Sequence, residues 1–491
     1  MSETWANAGG APPPATTADF AEQAGHTAAW GGLDLHLDLS GHRVRHSLET
    51  ALRDAVRAGR LAPGTRLPAS RALAADLGVA RNTVAEVYSQ LVAEGWLTAR
   101  TGSGTSVAER RAAGPGTGPV DHPEVAVPRY DLRTGVPDLS AFPRRAWLAT
   151  ARRALAAAPD RLLDYPDPRG LPQLRQVLAG YLARARGVVA DPGNIVICAG
   201  FTHGLAVTCR ALRSGGASTL AVESYGHRQH RDIAAAQGLR PRPLPVDGSG
   251  AVIGEADGAD AVLLTPAHQF PLGVTLHPRR RREAALWGGV VIEDDYDGEF
   301  RYDRQPVGAL QALAPDHVVY AGTASKSLAP SLRLGWLVVP PRLLDAVTAH
   351  LAAGPSGLDQ LTLAEFITSG GYDRQVRRAR LAYRRRRDRL VTALGRQGRS
   401  VTGIAAGLHA VFELTGTDTE RLVIARAAEH GLAVSGLEEY RADAAGPEAD
   451  NDRAGLVIGY GRPPEHAYTT ALARLCAVVE PERSGGPRHD R

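Results

Sequence analysis

Lysine is almost absent from this chain of 491 residues. A single lysine, Lys326, stands among 57 basic residues, and all the others are arginine. Arginine can take most charge roles of lysine, but a guanidinium keeps its proton, whereas an amine can lose it and act as a nucleophile. The lone lysine is therefore a candidate for covalent amine chemistry. The alternative is a lysine retained by chance on the surface.

Cysteine and long apolar runs are also scarce. The three cysteines, Cys198, Cys209 and Cys476, have no CxxC spacing, which argues against a disulfide framework or a zinc site and fits a reducing cytoplasm. No apolar run reaches the roughly 18 residues of a membrane span, and the N-terminus does not resemble a secretory signal. The histidines are scattered along the chain, so we expect no metal site. The net charge of +5 permits nucleic-acid binding without requiring it.

Composition divides the chain into five segments. Residues 1–30, rich in Ala, Gly, Pro and Thr, predict a disordered tail. Residues 36–107 are densely patterned, and the Pro/Gly-rich residues 108–129 predict a linker. From 130 to 482, helical periods alternate with short Val/Ile/Leu strands, which predicts an α/β domain with a large, mostly parallel sheet and a smaller C-terminal subdomain. Residues 483–491 predict a second tail.

The segment 36–107 has the pattern of two helices joined by a tight turn. PASRALAADLG predicts a short helix from Ser70 with a turn at Gly78, and a second helix follows from Arg81 to about Glu94. TARTGSGTSVA then predicts a β-hairpin. The alternative, a solvated helix start in a protein that does not bind DNA, is disfavoured because the pattern continues through the whole segment.

The stretch APGTRLPASRALAADLGVARNTVAEVYSQLVAEGWLTARTGSGTSV closely resembles the GntR-type winged helix. In such modules the start of the second helix meets base edges, and further contacts to phosphates fix the protein on double-stranded DNA. The resemblance places six residues at DNA-contacting positions, which are Arg66, Arg71, Arg81, Asn82, Thr83 and Gly102.

The surroundings of Lys326 suit a phosphorylated ligand. In VVYAGTASKSLAPSLRLGW the lysine follows a predicted strand, and ligands bind at strand ends in open parallel sheets. The hydroxyls of Thr323 and Ser325, with the guanidinium of Arg333, would hold a phosphate. Runs of four arginines at 279–282 and 384–387 predict solvated faces.

A second predicted strand, in GGVVIEDDYDGEF, ends in acids. A carboxylate such as Asp294 keeps a pyridine nitrogen protonated, and a phenol such as Tyr296 can bond a ring oxygen. A lysine, an acid and a phosphate cup together describe a site for pyridoxal 5′-phosphate (PLP). The alternative is Mg²⁺ held between Asp294 and Asp295.

From about residue 130 to 480 the sequence resembles the fold-type I aminotransferases of class I/II. DYPDPRGLPQLRQVLAGYLARARGV, CAGFTHGLAV and TPAHQFPLG match three segments of that family. The resemblance implies that Lys326 is the catalytic residue and attaches PLP, that Asp294 pairs with the pyridine nitrogen and Tyr296 with the ring hydroxyl, and that Arg333 binds phosphate. Its remaining cofactor-binding candidates are Gly200, Phe201 and Thr202 at the phosphate, His227 stacked on the ring, and Tyr165 reaching the phosphate in the partner subunit.

Two departures from the aminotransferase pattern stand out. Family enzymes often have an Asn before the Pro of the ring segment, where this chain has Phe270, so Gln269 or His268 must serve instead. The slot of the arginine that binds a substrate carboxylate holds Val457, and Arg462 is out of register. These departures weaken the case for ordinary amino-acid transamination.

A GntR-type winged helix, a linker and an aminotransferase-like domain, in this order, resemble the MocR/GabR family of bacterial transcription regulators. The resemblance implies a cytoplasmic homodimer that binds DNA, senses PLP or a PLP–amine adduct, and controls genes of vitamin B6 or amine metabolism. One alternative is a working aminotransferase with an appended DNA-binding domain. Another is a DNA-binding protein whose large domain is only a dimerisation scaffold, which leaves Lys326 unexplained.

Overall fold

A computed structural model describes residues 26–30, 33–37, 44–100, 102–109, 128–302, 307–352, 354–396, 401–442 and 453–479. The chain divides into two compact units, Met1–Val125 and Ala126–Arg491. Within the described ranges, no helix has the length and apolar character needed to cross a membrane.

The N-terminal unit contains short strands and three helices in its described part. They are β1 (His26–Trp30), β2 (Leu33–Leu37), α1 (Val44–Arg57), α2 (Ser70–Leu77), α3 (Arg81–Ala93), β3 (Leu97–Arg100) and β4 (Gly104–Val107). β1 pairs antiparallel with β2, so residues 26–30 form a strand within the segment predicted as a disordered tail, and the rest of that segment lies outside the described residues. Two short segments flanking a Gly-Gly pair are a hairpin signal, which the tail's average composition concealed.

The three helices enclose a small apolar core. Leu48 and Leu52 of α1, Leu73 of α2 and Val87 of α3 are buried at the helical spacing that places apolar side chains on one face. Gly78 ends α2 in the left-handed conformation, with φ of 64°, and so permits the tight turn into α3. β3 and β4 form the antiparallel hairpin that follows.

The C-terminal unit consists of many strands and helices. The strands are β5 (Tyr130–Asp131), β6 (Ile195–Cys198), β7 (Thr219–Glu223), β8 (Arg240–Leu244), β9 (Val246–Asp247), β10 (Gly250–Ala251), β11 (Ala261–Leu264), β12 (Val290–Asp294), β13 (Val318–Thr323), β14 (Gly335–Val338), β15 (Val401–Thr402), β16 (His409–Leu414), β17 (Leu432–Ala433), β18 (Ser435–Gly436) and β19 (Ala454–Gly459). The helices are α4 (Arg144–Ala157), α5 (Pro172–Arg186), α6 (Phe201–Ser214), α7 (Arg228–Ala236), α8 (Pro278–Leu286), α9 (Pro341–Ala349), α10 (Gly357–Thr368), α11 (Gly371–Gly395), α12 (Thr417–Glu429) and α13 (Glu465–Val479).

A seven-stranded sheet forms the centre of this unit, in the order β6-β14-β13-β12-β11-β7-β8. Its neighbours pair in parallel except at β14, which runs antiparallel to β13 and β6. β11 and β12 are buried along their whole length, as expected for strands covered on both faces by helices. The predicted α/β class with a mostly parallel sheet is confirmed.

A smaller antiparallel sheet, in the order β15-β16-β19-β18, forms the C-terminal subdomain. Its core includes Phe412, Leu456 and Tyr468, which pack with the C-terminal part of α11. β5, the first strand of the unit, pairs in parallel with β17. The segment that follows the predicted linker is therefore anchored on the small subdomain.

One arginine in each four-arginine run is buried, so the prediction of solvated faces fails at these positions. Arg281 donates to the carbonyl of Gly308 at 2.6 Å. Arg386, whose side chain is 2% exposed, donates to Asp138 at 2.8 Å and to Glu465 at 2.9 Å. The sequence of an arginine run does not indicate such partners, because the partner residues are distant from the run in sequence.

We expect Arg386→Ala to destabilise the C-terminal unit by about 3–5 kcal/mol, because it leaves the buried carboxylate of Asp138 without its cation. Urea denaturation followed by circular dichroism measures this change. Arg385→Ala removes the same charge from an exposed neighbour and should change stability by about 0.5 kcal/mol or less. Equal midpoints for the two variants would contradict the assignment.

Candidate functional site

A cavity of about 270 Å³ lies at the carboxyl edge of the seven-stranded sheet. Parallel strands bring the residues that follow them to this edge, which is why segments far apart in sequence meet here. The structure places most of the predicted cofactor-binding residues in its wall, namely Phe201, Thr202, His227, Asp294, Tyr296, Thr323, Ser325, Lys326 and Arg333.

Lys326 enters the cavity from the turn after β13. Its Nζ donates to the carbonyl of Gly135 at 2.6 Å. Burial lowers the pKa of Lys326, and the carboxylates of Asp294 and Asp297 oppose this effect without cancelling it. A lowered pKa increases the share of neutral amine, which is the form that attacks a carbonyl carbon.

Asp294 is the acid that faces the cavity. It is buried, and its Oδ1 has no hydrogen-bond partner among the described residues. Burial raises the pKa of Asp294 well above its usual range, while Lys326 lowers it. The adjacent Asp295 is bound at both oxygens by Arg186, at 2.6 and 2.9 Å. The two carboxylates therefore do not converge on one ion, which argues against the magnesium alternative.

A cationic and hydroxyl-lined corner lies beside the start of α6. Gly200, with φ of 78°, precedes this helix, whose first N–H groups form an anion site. Arg333 donates to the hydroxyl of Thr202 at 3.3 Å, and the hydroxyls of Thr323 and Ser325 are 2.9 Å apart. Backbone donors, hydroxyls and a guanidinium are the groups that bind a phosphate.

His227 forms a flat wall of the cavity. Its ring stacks on Phe270, with centroids 4.1 Å apart and an angle of 15° between the planes. Burial lowers the pKa of His227 to about 4, and the charges of Lys326 and Arg231 contribute to the shift. The imidazole is therefore neutral at physiological pH and can present an uncharged face to a ring.

The side chains of Gln269 and His268 have other partners. The amide of Gln269 donates to the carbonyls of Tyr225 at 2.8 Å and Phe270 at 2.7 Å, and Nδ1 of His268 lies 2.7 Å from Asp297 Oδ2. The expectation that one of them replaces the family's Asn toward the ring is therefore not supported.

Several wall residues escaped the sequence analysis. Glu223 ends β7 as Asp294 ends β12, so the strand-end argument that found Asp294 could have found Glu223 as well. Gly135 and His409 come from distant segments and carry no local signal. The missed residues that line the cavity include Gly135, Glu223, His230, Arg231 and His409.

Two candidates from the sequence, Tyr165 and the carboxylate-binding slot at Val457, do not line the cavity. Tyr165 is 98% exposed and does not line the cavity of its own chain, so its role toward a partner subunit stays a prediction. Val457 is buried within β19, and Arg462 is paired with Asp131 at 2.9 Å. The structure thus shows no carboxylate-binding role for the slot of Val457 or for Arg462.

The sequence predicted no metal site, yet three residues of metal-binding types lie together. His268, Asp297 and His409 each place one possible ligand atom within 4.8 Å of the others. His268 and Asp297 are already at hydrogen-bond distance. Nε2 of His409 lies 3.1 Å from the carbonyl oxygen of Pro271. We therefore interpret His268 and Asp297 as a hydrogen-bonded pair with the ring of His409 packed beside it.

The predicted DNA contacts lie on α2, α3 and the β3–β4 hairpin. Arg71, Arg81 and Asn82 are exposed and Thr83 is half-buried. Gly102 lies exposed at the hairpin tip with φ of 83°. Arg66 is exposed and lies against Gly104 of the hairpin.

The arginines of α1 differ from Arg71 and Arg81 in their charge pairing. On α1, Arg45 and Arg53 bind Glu86 and Glu94. In the described part of the chain, neither Arg71 nor Arg81 has an acidic partner. Unpaired arginines at a helix start are free to contact phosphates or base edges.

Comparison with known proteins identifies both units. Residues 45–107 match the family described as bacterial regulatory proteins, gntR family, and residues 130–453 match aminotransferase class I and II. The HTH-type pyridoxine biosynthesis transcriptional regulator PdxR of Corynebacterium glutamicum is 32% identical over 91% of this chain and 99% of that protein. The probable rhizopine catabolism regulatory protein MocR of Rhizobium meliloti is 33% identical over 72% of this chain and 77% of that protein.

Among solved structures, an archaeal alanine:glyoxylate aminotransferase matches with a TM-score of 0.64 and 23% identity, over 71% of this chain and 90% of that one. This likeness shows the fold of the C-terminal unit. A gntR-type winged helix ahead of such a fold defines a DNA-binding regulator built on an enzyme scaffold. The chain belongs to the MocR/GabR family of transcription regulators, as the sequence predicted.

We expect Arg81→Ala to weaken DNA binding by about tenfold to 100-fold, because it removes a cation at the start of α3. Electrophoretic mobility shift at fixed salt measures the change. The matched control is Arg57→Ala, since Arg57 lies over Trp96 beyond the other end of α3. A loss of DNA binding as large in the control would contradict this assignment.

We expect Lys326→Arg to abolish the absorption above ~400 nm that a lysine-attached PLP gives, because arginine keeps the charge but supplies no nucleophilic amine. Absorption spectra of purified protein mixed with PLP measure the effect. Arg279→Lys, which places a new amine on the exposed start of α8, should retain the wild-type spectrum. An unchanged band in Lys326→Arg would refute the role of this lysine.

Proposed function

We propose that this regulator binds PLP at Lys326 and that ligand binding changes its affinity for operator DNA. The observation that carries the proposal is the buried Oδ1 of Asp294, which lacks a donor in the cavity that holds the only lysine of the chain. A protonated pyridine nitrogen supplies that donor. The groups fit PLP at three separated points, since the corner at Arg333 and α6 suits its phosphate and Lys326 suits its aldehyde.

Different residues would hold different parts of this ligand. Arg333, Thr202, Thr323 and Ser325 would bind the phosphate, and His227 would cover one face of the ring. When bound, PLP supplies an aldehyde carbon that an amine can attack and a ring that withdraws electrons. The hydroxyl of Tyr296 would donate a hydrogen bond to the ring oxygen.

The effector is PLP itself or a PLP–amine adduct, and the regulated genes belong to vitamin B6 or amine metabolism. PdxR, named for pyridoxine biosynthesis, is a relative along nearly its whole length. The pairing of Arg462 with Asp131 argues against capture of an amino-acid carboxylate there. A ligand can shift the balance between two arrangements of the protein only if it binds them with different affinity.

We propose that the regulator is a homodimer in the cytoplasm, with a contact surface in the region of Tyr165. Tyr165 is 98% exposed, and several leucines of the same region are also exposed. Exposed apolar patches commonly mark contact surfaces. The exposed leucines are Leu139, Leu148, Leu155 and Leu163.

A mobility shift with the DNA flanking the gene, with and without PLP, tests the regulatory role. We expect PLP to change the affinity for DNA by about fivefold or more, the usual range for coupled sites, in the wild type and not in Lys326→Arg. Pyridoxal, which lacks the phosphate, should act much more weakly. If PLP produces the absorption band but leaves the affinity for DNA unchanged, the regulatory proposal is wrong. That result would favour the alternative in which the large domain is only a dimerisation scaffold.

A measurement of catalytic turnover tests the remaining alternative, a working aminotransferase with an appended DNA-binding domain. A working aminotransferase would convert amino donors steadily in the presence of a keto acid. We expect no steady conversion, since neither Val457 nor Arg462 forms a carboxylate site. Borohydride reduction followed by peptide mass spectrometry should place the reduced PLP on Lys326, and label elsewhere would contradict the site.

A further inference from the structure

A buried histidine–aspartate pair lies behind Tyr296. His268 and Asp297 are each 2% exposed, and Nδ1 of His268 lies 2.7 Å from Oδ2 of Asp297. The hydroxyl of Tyr296 lies 3.2 Å from the same Nδ1 and 3.1 Å from the carbonyl oxygen of His268. The phenol, the imidazole and the carboxylate thus meet at one nitrogen.

Counting protons decides which group donates. An ionised carboxylate can only accept, so the bond to Asp297 requires a proton on Nδ1 of His268. A nitrogen that carries this proton cannot also accept one from Tyr296. The phenol proton is therefore left to an oxygen, which is the carbonyl of His268, the carboxylate of Asp297, with which Tyr296 also interacts, or an acceptor in the cavity that Tyr296 lines.

The packing holds this pair in place. Gly407 lies so close that a Cβ there would be 2.3 Å from Cε1 of His268 and 2.5 Å from Oδ2 of Asp297. The ring of His409 lies 4.9 Å from that of His268, and its Nε2 is 3.1 Å from the carbonyl of Pro271. The imidazole of His268 is confined between these elements, which fixes its position relative to Tyr296.

We propose that His268 and Asp297 are positioning residues, which keep the phenol proton of Tyr296 available to an oxygen acceptor of the bound ligand. The inference rests on the proposed function, because the acceptor would be the ring oxygen of PLP. Asp297 fixes the imidazole tautomer, and the tautomer fixes the direction of the phenol's bond. Neither residue needs to touch the ligand.

Asp297→Asn removes the requirement for a proton on Nδ1 of His268, because an asparagine can donate through its amide as well as accept through its Oδ1. A deprotonated Nδ1 offers one lone pair, for which the asparagine amide and the phenol of Tyr296 compete. When the phenol donates to this nitrogen, it is withdrawn from the ring oxygen. The substitution also removes a negative charge near Lys326 and Tyr296, so the two effects must be separated.

A double-mutant cycle on the full-length, PLP-loaded protein separates them. The readout is the pH midpoint of the visible absorption change in wild type, Asp297→Asn, Tyr296→Phe and the double variant. In the Tyr296→Phe background the loss of charge acts alone and moves the midpoint to lower pH. With Tyr296 present the lost phenol donor opposes that shift, because donation to the negative ring oxygen favours the deprotonated form.

We expect the effect of Asp297→Asn on the apparent acid dissociation constant to differ by about threefold or more between the wild-type and Tyr296→Phe backgrounds. Equal effects in both backgrounds would overturn the inference, because a purely structural or electrostatic role of Asp297 does not depend on the phenol. The titratable and charged groups that face Tyr296 and Lys326, besides the pair itself, are Glu223, Asp294, His227, His230 and Arg231, with His409 beside His268, and the cycle leaves all of them unchanged.

His268→Gln in the same two backgrounds provides a second cycle if Asp297→Asn does not fold. Its amide can donate to Asp297, and its amide oxygen can accept from Tyr296 and withdraw the phenol from the ring oxygen, so the dependence on the phenol should again appear. The possible results separate a failure of the proposed function from a failure of the positioning role of His268 and Asp297. If the wild type gives no absorption band with PLP, the proposed function fails. If the band forms and the measured cycle is additive, only the role of His268 and Asp297 fails.

Discussion

The electrostatic coupling of Asp294 and Lys326 is the interaction on which the cavity depends. Burial alone would neutralise both groups, since it raises the pKa of an acid and lowers that of an amine. Each group opposes the shift of the other, yet Oδ1 of Asp294 remains without a donor. An unsatisfied buried acceptor costs about 1–3 kcal/mol. The fold carries this cost in the wall of the cavity, where a ligand can supply the missing donor.

Strand alternation sorts the three consecutive acids at the end of β12. Glu293 accepts the N–H groups of Leu310 and Gln311 at 2.7 and 2.8 Å, and Asp295 is held by Arg186. Asp294 lies between them and faces the cavity. The period of two along a strand made this assignment accessible from sequence. The bond to Arg186 was not accessible, because nothing local in the sequence indicates a partner more than a hundred residues away.

The same limit explains which wall residues were missed. Asp294 ends β12 and Lys326 follows β13, and the strand-end rule brings these two together without further information. Arg333 reaches the same edge because it precedes β14, which runs antiparallel to β13 and pairs Gly335 with Thr323. Gly135 and His409 belong to segments of the smaller subdomain, whose docking on the large sheet no local pattern encodes. The strand β1 within the predicted disordered tail was missed for a related reason, since average composition does not register a short paired strand.

The charges around the cavity favour a ligand whose anionic group is its phosphate. His227 has its pKa lowered to about 4, and burial lowers the pKa of His230 and His409 well below the usual range, so these rings are uncharged at neutral pH. Arg231 donates to the carbonyls of Gly226 and Arg441. Glu223 adds a buried carboxyl whose pKa is raised to about 7. A carboxylate at this end of the cavity would therefore meet neutral rings, the acid Glu223 and Arg231, whose guanidinium already donates to two carbonyls, whereas Arg333 lies with hydroxyls beside the start of α6.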